Sequence, residues 1–148
     1  MSLAADLAYE AEKQGEVPVG AIILDPSGKV LAKSFNTKEQ LQNPCHHAEI
    51  LAIDEASKKL NSWRLTDCEI FVTLEPCTMC MGAIIHSRIK NLYFGAYDSK
   101  AGAVSLGFDL HKKLNHHVNI YGGFKHLECS RQISTFFKRR RSQFKAQK

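Results

Sequence analysis

Apolar residues recur along this chain with two different periods, and together these predict alternating strands and helices. Continuous or alternating apolar runs predict strands at residues 19–24, 30–35, 69–74, 92–94 and 118–121. Apolar residues three and four positions apart predict helices at residues 3–14, 47–60, 76–87 and 126–145, with Pro76 opening the third. The long segment 95–115 contains glycines and one short predicted helix near 107–110, and such loops are often functional.

The order of these elements predicts an α/β sandwich. A turn with Pro and Gly at residues 25–28 joins the first two strands, so we expect those strands to pair antiparallel. Because strands and helices alternate, the sheet should be covered by helices on both faces. The chain has 148 residues, of which 44% are hydrophobic, and this predicts a single domain spanning 1–148 with a packed core.

The sequence indicates a protein of the cytoplasm. No segment approaches the ~20 consecutive apolar residues of a membrane span, so no membrane association is predicted. The N-terminal segment carries acidic residues and lacks the basic start of a signal peptide. Five cysteines is an odd number, and without a secretion signal we expect their thiols to be free or bound to metal in a reducing compartment.

Positive charge is concentrated in the basic C-terminal helix, predicted within residues 126–148. Residues 131–148 contain seven lysines and arginines and no acid, although the whole chain has a net charge of only +5. The remainder of the chain is therefore net acidic. A localised basic face fits a polyanion such as RNA. On charge alone, a solvated tail that serves only solubility is an equally good interpretation.

Two short polar motifs supply the ligands of a metal site. Cys77 and Cys80 lie three residues apart at a predicted helix start, where both side chains face one side and thiolates are stabilised. His47 starts an earlier helix, and Glu49 follows two residues later. Two thiolates, one imidazole and a water complete a catalytic zinc site, with Glu49 as a nearby base. The offset from Glu49 favours His47 over His46 as the ligand.

The same residue types also occur in other kinds of site. A lone Cys-x-x-Cys is found in redox pairs and in structural zinc sites. Cys45 with His46 or His47 would complete a closed structural site together with Cys77 and Cys80, and this is the strongest alternative. It would leave Glu49 without a role, so the catalytic site is preferred. Cys68 and Cys129 are interpreted as small buried hydrophobic residues.

The two motifs reproduce the established signature of zinc nucleobase deaminases, His-x-Glu followed by Pro-Cys-x-x-Cys. Over nearly its whole length the sequence resembles the cytidine deaminase superfamily and, within it, the bacterial tRNA adenosine deaminases. The zinc motif indicates only the superfamily. The tRNA branch is indicated by the segments EVPVGA at 16–21 and DSKAGA at 98–103, by Asn36, and by the basic tail that begins at Phe136.

This resemblance implies a cytidine deaminase-like fold, which is a three-layer α/β/α sandwich around a mixed five-stranded sheet. It implies a homodimer with one zinc ion in each subunit. The implied reaction is hydrolytic conversion of adenosine to inosine at the wobble position of a tRNA anticodon, with the anticodon arm as the partner. His47, Cys77 and Cys80 would bind the zinc, and Glu49 would shuttle protons.

The resemblance also implies which residues contact the RNA. Asn36 would hydrogen-bond the flipped nucleotide, in a pocket lined by Val19 and Ala48. Asp98 and Lys100 would contact the nucleotides on either side of it. These roles are carried over from the family motifs.

Phe137, together with Phe136 and the basic tail, would grip the anticodon loop. Aromatic stacking combined with cationic contacts to phosphate is the usual way to hold single-stranded RNA. The alternative for this pair of aromatic residues is core packing of the last helix, and we expect at least one of them to pack there.

Two rival functions remain open at this stage. A deaminase of a free base or nucleotide, of the guanine or cytosine type, would share the zinc site but would have no need of the basic tail. An RNA-binding protein with a closed structural zinc would keep the tail and have no use for Glu49.

Overall fold

The structure is a computed structural model that describes residues 1–147, so Lys148, the last residue of the predicted basic segment, lies outside the described residues. The five strands are β1 Gly20–Leu24, β2 Val30–Phe35, β3 Glu69–Leu74, β4 Asn91–Ala96 and β5 Asn119–Gly122. The helices are α1 Ser2–Lys13, α2 Ala48–Leu60, α3 Thr78–His86, α4 Leu110–Lys113 and α5 His126–Ala146.

The strands form one mixed sheet in the order β2-β1-β3-β4-β5. Strand β1 is antiparallel to both of its neighbours, β2 and β3. Strands β3, β4 and β5 run parallel, and their connections pass through α3 and α4. The predicted mixed five-stranded sheet and its antiparallel first pair are confirmed.

Alternate residues of the central strands face opposite layers, as the pleat of a strand requires. Ile70 and Val72 of β3 pack in the main core with the buried alanines of α2 and the apolar residues of α3. On the opposite face, a Cβ at Gly20 would overlap the carbonyl oxygen of Ala4 in α1. A Cβ at Gly95 would likewise come within 2.6 Å of the Cys129 sulfur of α5. Glycine at these two positions lets α1 and α5 lie directly on the sheet.

Pro76 does not open α3, contrary to the prediction, because the chain stays extended for two more residues. Cys77, the residue before the helix, pairs as an isolated β-bridge with Gly102. The carbonyl of Pro76 accepts a hydrogen bond from the amide of Ala103 at 2.9 Å. These pairings hold the start of α3 against a distant loop, which is the tertiary feature that helical spacing alone does not reveal.

The short helix α4 begins later than predicted. Gly107 has a positive φ of 77°, outside the helical region, so the helix starts only after Asp109. None of the helices in residues 1–147 combines the length and apolar character that crossing a membrane requires.

The topology brings four chain segments to one edge of the sheet. The end of β2 and the start of β1 are neighbours there, because Gly20 pairs with Phe35. The carboxyl ends of the parallel strands β3 and β4 reach the same edge, because Leu74 pairs with Ala96. The residues that follow these strands are those that the sequence marks as functional. Open α/β sheets place ligand sites at such carboxyl ends.

Candidate metal centre and substrate pocket

Three side chains meet at this edge of the sheet in an arrangement suited to a metal ion. The ligand atoms of His47, Cys77 and Cys80 all lie within 4.8 Å of one another. His47 Nδ1 is 3.7 Å from Cys77 Sγ and 3.5 Å from Cys80 Sγ. His47 and Cys77 each occupy the position just before a helix, α2 and α3 respectively, so the two helix starts converge on the site.

These separations fit a tetrahedral zinc ion. Zinc–sulfur bonds of ~2.3 Å and zinc–nitrogen bonds of ~2.0–2.1 Å at tetrahedral angles place a sulfur and a nitrogen ligand ~3.5–3.6 Å apart. The two measured sulfur–nitrogen distances, 3.7 and 3.5 Å, agree with that geometry. Three protein ligands leave the fourth position for water or substrate, which is the pattern of catalytic rather than structural zinc.

The hydrogen bonds of this cluster shift the pKa values of its two thiols in opposite directions. Hydrogen bonding, first from Cys80 and then from His47, lowers the pKa of Cys77 to about 4. The same hydrogen bond to Cys77, together with burial, raises the pKa of Cys80. The hydrogen bond to Cys77 raises the pKa of His47 as well. Because zinc binds thiolates and neutral imidazole, metal binding must displace protons from this cluster.

Glu49 lies in the first turn of α2, beside the cluster but outside the ligand set. Its side chain is almost completely buried, and burial raises its pKa to about 7. A carboxyl group with a pKa near neutrality both accepts and returns protons efficiently at physiological pH. The geometry therefore places a carboxyl group that could carry protons beside three side chains that could hold a metal ion.

Asn36, at the end of β2, is held rigidly at the pocket wall. Its Oδ1 accepts a hydrogen bond from the backbone amide of Ala48 at 2.8 Å. The backbone amide of Asn36 donates to the carbonyl of Val19 at 3.1 Å. The bond from Ala48 fixes the orientation of the carboxamide, because only its oxygen can accept. Its Nδ2 is then the group that remains to donate to an acceptor on a ligand.

A cavity of about 300 Å³ opens between these residues. Its walls include Val19, Asn36, His47 and Glu49, as well as Cys77, Asp98 and Phe137 from the predicted set. Further wall residues are Glu16, Val17, Lys38, Leu74, Glu75 and Ala101. Cys80 lies behind the wall and is fully buried. Ala48 is also fully buried and contacts the pocket wall through the hydrogen bond from its backbone amide to Asn36.

A second cavity, of about 590 Å³, adjoins the first. Asp98 and Phe137 line both cavities, and Lys100 lines only the second, together with Ser134 and Arg141 of α5. The Asp98 carboxylate accepts the amides of Lys100 and Ala101 and thereby shapes this turn. The two cavities therefore share walls and together extend from the metal cluster to the basic helix.

The structure separates the remaining candidates from the cluster. Cys45 is exposed, and His46 is hydrogen-bonded through Nε2 to Asn43 at 3.0 Å, so neither belongs to the group of converging ligands. Cys68 and Cys129 are buried, as predicted. The closed Cys/His structural site considered above is therefore not the arrangement of these side chains.

The two adjacent phenylalanines of α5 have different environments. Phe136 is buried against the body of the protein, whereas Phe137 is 41% exposed and lines both cavities. Their rings meet edge to face with centroids 5.4 Å apart. The expectation that one of the pair packs in the core is confirmed.

Comparison with known proteins identifies the family of this chain. Residues 1–96 match the family described as the cytidine and deoxycytidylate deaminase zinc-binding region. The tRNA-specific adenosine deaminase of Haemophilus influenzae is 43% identical over 150 aligned positions, which cover 100% of this chain and 87% of that protein. The chain belongs to the tRNA-specific adenosine deaminase family.

Two further relatives support this membership. The tRNA-specific adenosine deaminase of Bacillus subtilis is 40% identical over 94% of this chain and 87% of its own length. A solved structure, from biochemical and structural studies of A-to-I editing by tRNA:A34 deaminases at the wobble position of transfer RNA, superposes with a TM-score of 0.84. It is 39% identical, and the superposition covers 89% of this chain and 96% of that one.

Two buried carboxylates at the pocket of this family member were not predicted from its sequence. Glu16 and Glu75 are 1% and 2% exposed, and both line the pocket. A sequence signal was present, since Glu75 is a charged residue directly after strand β3 and Glu16 lies three residues before the predicted strand 19–24. Burial and hydrogen-bond partners, which only the fold shows, are needed to interpret it.

Proposed function

We propose that this protein deaminates adenosine to inosine at the wobble position of a tRNA anticodon, with one zinc ion in each subunit. The observation that carries the proposal is the buried Glu49 carboxylate, which lies beside three converging metal ligands without being one of them. The tRNA substrate is supported by relatives that are 43% and 40% identical and are named tRNA-specific adenosine deaminases.

His47, Cys77 and Cys80 would hold the zinc ion in this reaction. When bound, zinc supplies a Lewis acid that lowers the pKa of a water so that a nucleophile is available at neutral pH. Glu49 accepts the proton of the attacking water and delivers it to N1 of adenine. The water oxygen would bond to C6, and Glu49 would then carry the proton of the new C6 hydroxyl to the exocyclic amine, so that the C6–nitrogen bond breaks and ammonia leaves. Burial, which raises the pKa of Glu49 to about 7, suits both directions of this transfer.

The pocket walls would hold the flipped base in register. Asn36 donates from Nδ2 to the nucleotide, and its oxygen is kept in place by the amide of Ala48. Val19 supplies an apolar wall and helps to exclude water. Ala48 thus contributes through its backbone to a pocket that its side chain was predicted to line.

The second cavity and α5 would bind the rest of the anticodon loop. Asp98 and Lys100 lie beside the path of neighbouring nucleotides, and the exposed Phe137 offers a ring for stacking. Arg140 lies over the rings of Phe136 and Phe144 at 5.7 and 6.0 Å, so cationic and aromatic groups are in contact along this helix. This combination is typical of surfaces that bind single-stranded RNA.

The decisive experiment is a comparison of three substrates under identical conditions. The zinc-loaded protein is incubated separately with an anticodon stem-loop containing adenosine at the wobble position, with guanine and with cytidine. We expect inosine in the stem-loop, detected by sequencing, and no ammonia from the other two. Ammonia released from guanine or cytidine alone would favour the free-base alternative. Tight RNA binding without any inosine would favour a binding protein.

Neutralising two tail residues should weaken RNA binding and flatten its salt dependence. Lys138→Gln with Arg141→Gln removes two exposed charges, each of which releases counterions when it binds phosphate. Loss of two such contacts should reduce the slope of log K against log salt by ~1.4, because single strands give ~0.7 per contact. Fluorescence anisotropy with a labelled stem-loop at several salt concentrations measures this.

The matched control for the tail variant is Lys58→Gln with Lys59→Gln. It removes the same charge from the far end of α2, about 18 Å along the helix from the metal cluster. Its salt slope should equal that of the wild type. Equal slopes in the wild type and both double variants would contradict the role of the tail.

We further propose a homodimer that covers the outer surface of α3. This helix is apolar almost all round, yet Met79 is 36% exposed and a Cβ added at Gly82 would meet no heavy atom within 4 Å. Phe108 and Leu114, next to the neighbouring α4, are 49% and 38% exposed. Apolar surface of this kind is usually buried against a partner. Sedimentation as a monomer at micromolar concentration would contradict this proposal.

Residues 1–148 are proposed to act as one deaminase domain in the cytoplasm. Support comes from the single sheet on which α1, α2 and α5 all pack. The five cysteines are free, as expected for a reducing compartment. Fractionation of cells that express the protein, followed by immunodetection, tests the location.

A further inference from the structure

Glu75 is a buried carboxylate whose hydrogen bonds all go to one loop. Its Oε2 accepts the amide of Asp98 at 2.9 Å and the hydroxyl of Ser105 at 2.5 Å. Its Oε1 accepts the amide of Ser105 at 2.6 Å. Both ends of the 98–105 loop are therefore fastened to a single side chain, two residues before the metal ligand Cys77.

The backbone reinforces this fastening. Gly102 lies directly on the Glu75 carboxylate, and a Cβ at Gly102 would approach both carboxylate oxygens to 2.5 Å. Gly102 also forms the β-bridge with Cys77, and the amide of Ala103 donates to Pro76. The loop and the start of α3 are thus one continuous unit, with the Glu75 carboxylate at its centre.

Glu16 makes the equivalent contacts on the opposite side of the pocket. Its two oxygens accept the amides of Glu39 at 3.1 Å and of Gln40 at 2.7 Å. These amides belong to the 37–46 loop, which connects Asn36 to His47. This loop adds Lys38 to the pocket wall.

Neither carboxylate forms an ion pair within the described part of the chain, residues 1–147. An anion buried without a cation is costly unless hydrogen bonds compensate for the lost water. Backbone amides donate most of the hydrogen bonds to Glu16 and Glu75, and the two loops that supply these amides both border the pocket. A glutamine could not make the same contacts, because it offers only one acceptor atom and two donors.

We propose that Glu16 and Glu75 are a pair of positioning residues, each of which holds one of the two loops that form opposite walls of the RNA-binding pocket. The proposal rests on the proposed function, because it assigns those walls to nucleotide binding. Glu75 holds Asp98 and Lys100 in place for the nucleotides beside the target. Glu16 holds the loop that carries Lys38. Neither side chain takes part in the chemical step.

The test compares Glu75→Gln with Glu16→Gln, and each variant serves as the control for the other. In Glu75→Gln, amide hydrogen exchange should accelerate at Asp98 and Ser105 and stay unchanged at Glu39 and Gln40. In Glu16→Gln the pattern should be reversed. With the stem-loop as substrate, each variant should raise KM by about tenfold or more, because one amide now faces a donor instead of an acceptor. We expect kcat and zinc content to stay near the wild-type values.

Three outcomes would overturn the proposal: unchanged exchange in the affected loop, unchanged KM, or a loss confined to kcat. Ser105→Ala covers the case in which Glu75→Gln does not fold, because it removes only the hydroxyl donor. It should raise KM by a smaller factor and accelerate exchange in the 98–105 loop alone, and the absence of both effects would count against the proposal. Hydrogen exchange is measured without RNA, so a wild-type protein that makes no inosine would refute the proposed function while the two loop attachments are still tested.

Discussion

Replacing Glu49 by glutamine should lower kcat for deamination by about 10²–10⁴-fold, the usual contribution of a positioned general acid–base group. Glutamine has nearly the same shape and can neither accept nor return the proton. Because burial already raises the pKa of Glu49 to about 7, a neutral side chain at this position should cost little stability. Single-turnover kinetics with the anticodon stem-loop measure the change.

The control for this substitution is Glu55→Gln on the same helix. Glu55 is partly exposed, pairs with Lys59 at 2.7 Å and accepts the amide of Lys33 at 3.2 Å, so its replacement should leave kcat unchanged and alter stability by about 1 kcal/mol. Both variants should bind one zinc ion per chain and unfold near the wild-type temperature. A Glu49→Gln protein that retains near wild-type turnover would remove Glu49 from the mechanism.

Replacing Cys80 by alanine should abolish activity by removing a metal ligand. Substitution even of residues that only orient ligands costs about 10- to 100-fold in metal affinity, so loss of a ligand should cost more than about 100-fold. Plasma mass spectrometry of dialysed protein should find well under one zinc per chain. The cavity left at this fully buried position should also lower the unfolding temperature.

Cys45→Ala is the matched control, because Cys45 is exposed and lies only two residues from His47. It should keep full zinc content and activity. Zinc loss in this variant would restore the closed structural site as an explanation.

The wild-type site should also bind zinc more weakly as the pH falls. The pKa of Cys80 is raised by its hydrogen bond to Cys77, and its thiol must lose that proton to bind the metal.

The sequence predicted the elements of the fold well, because their apolar periods are strong. Strands β2 and β3 have the predicted bounds, and β1, β4 and β5 differ by one to two residues. The metal ligands could be proposed because His47, Cys77 and Cys80 lie in short motifs with few chemical alternatives. The geometry of the site agrees with that choice over Cys45 and His46.

The long-range hydrogen bonds could not be predicted from the sequence. The contacts of Glu75 span 23 and 30 residues, and those of Glu16 span 23 and 24. Local patterning contains no information on which distant amides a buried carboxylate will meet. The extended conformation at Pro76 was missed for the same reason, because Ala103 rather than a neighbouring residue determines it.

Only the first half of α5 is supported by the core. Its buried residues are Cys129, Gln132 and Phe136, whereas residues 138–147 contribute no buried side chain. A helical segment of about ten residues is marginal in water without such packing, and adjacent positive charges oppose it further. We therefore expect phosphate binding to increase the helical content of this segment. Ordering this segment costs free energy and lowers the net affinity, so that recognition of the anticodon arm would be reversible as well as specific.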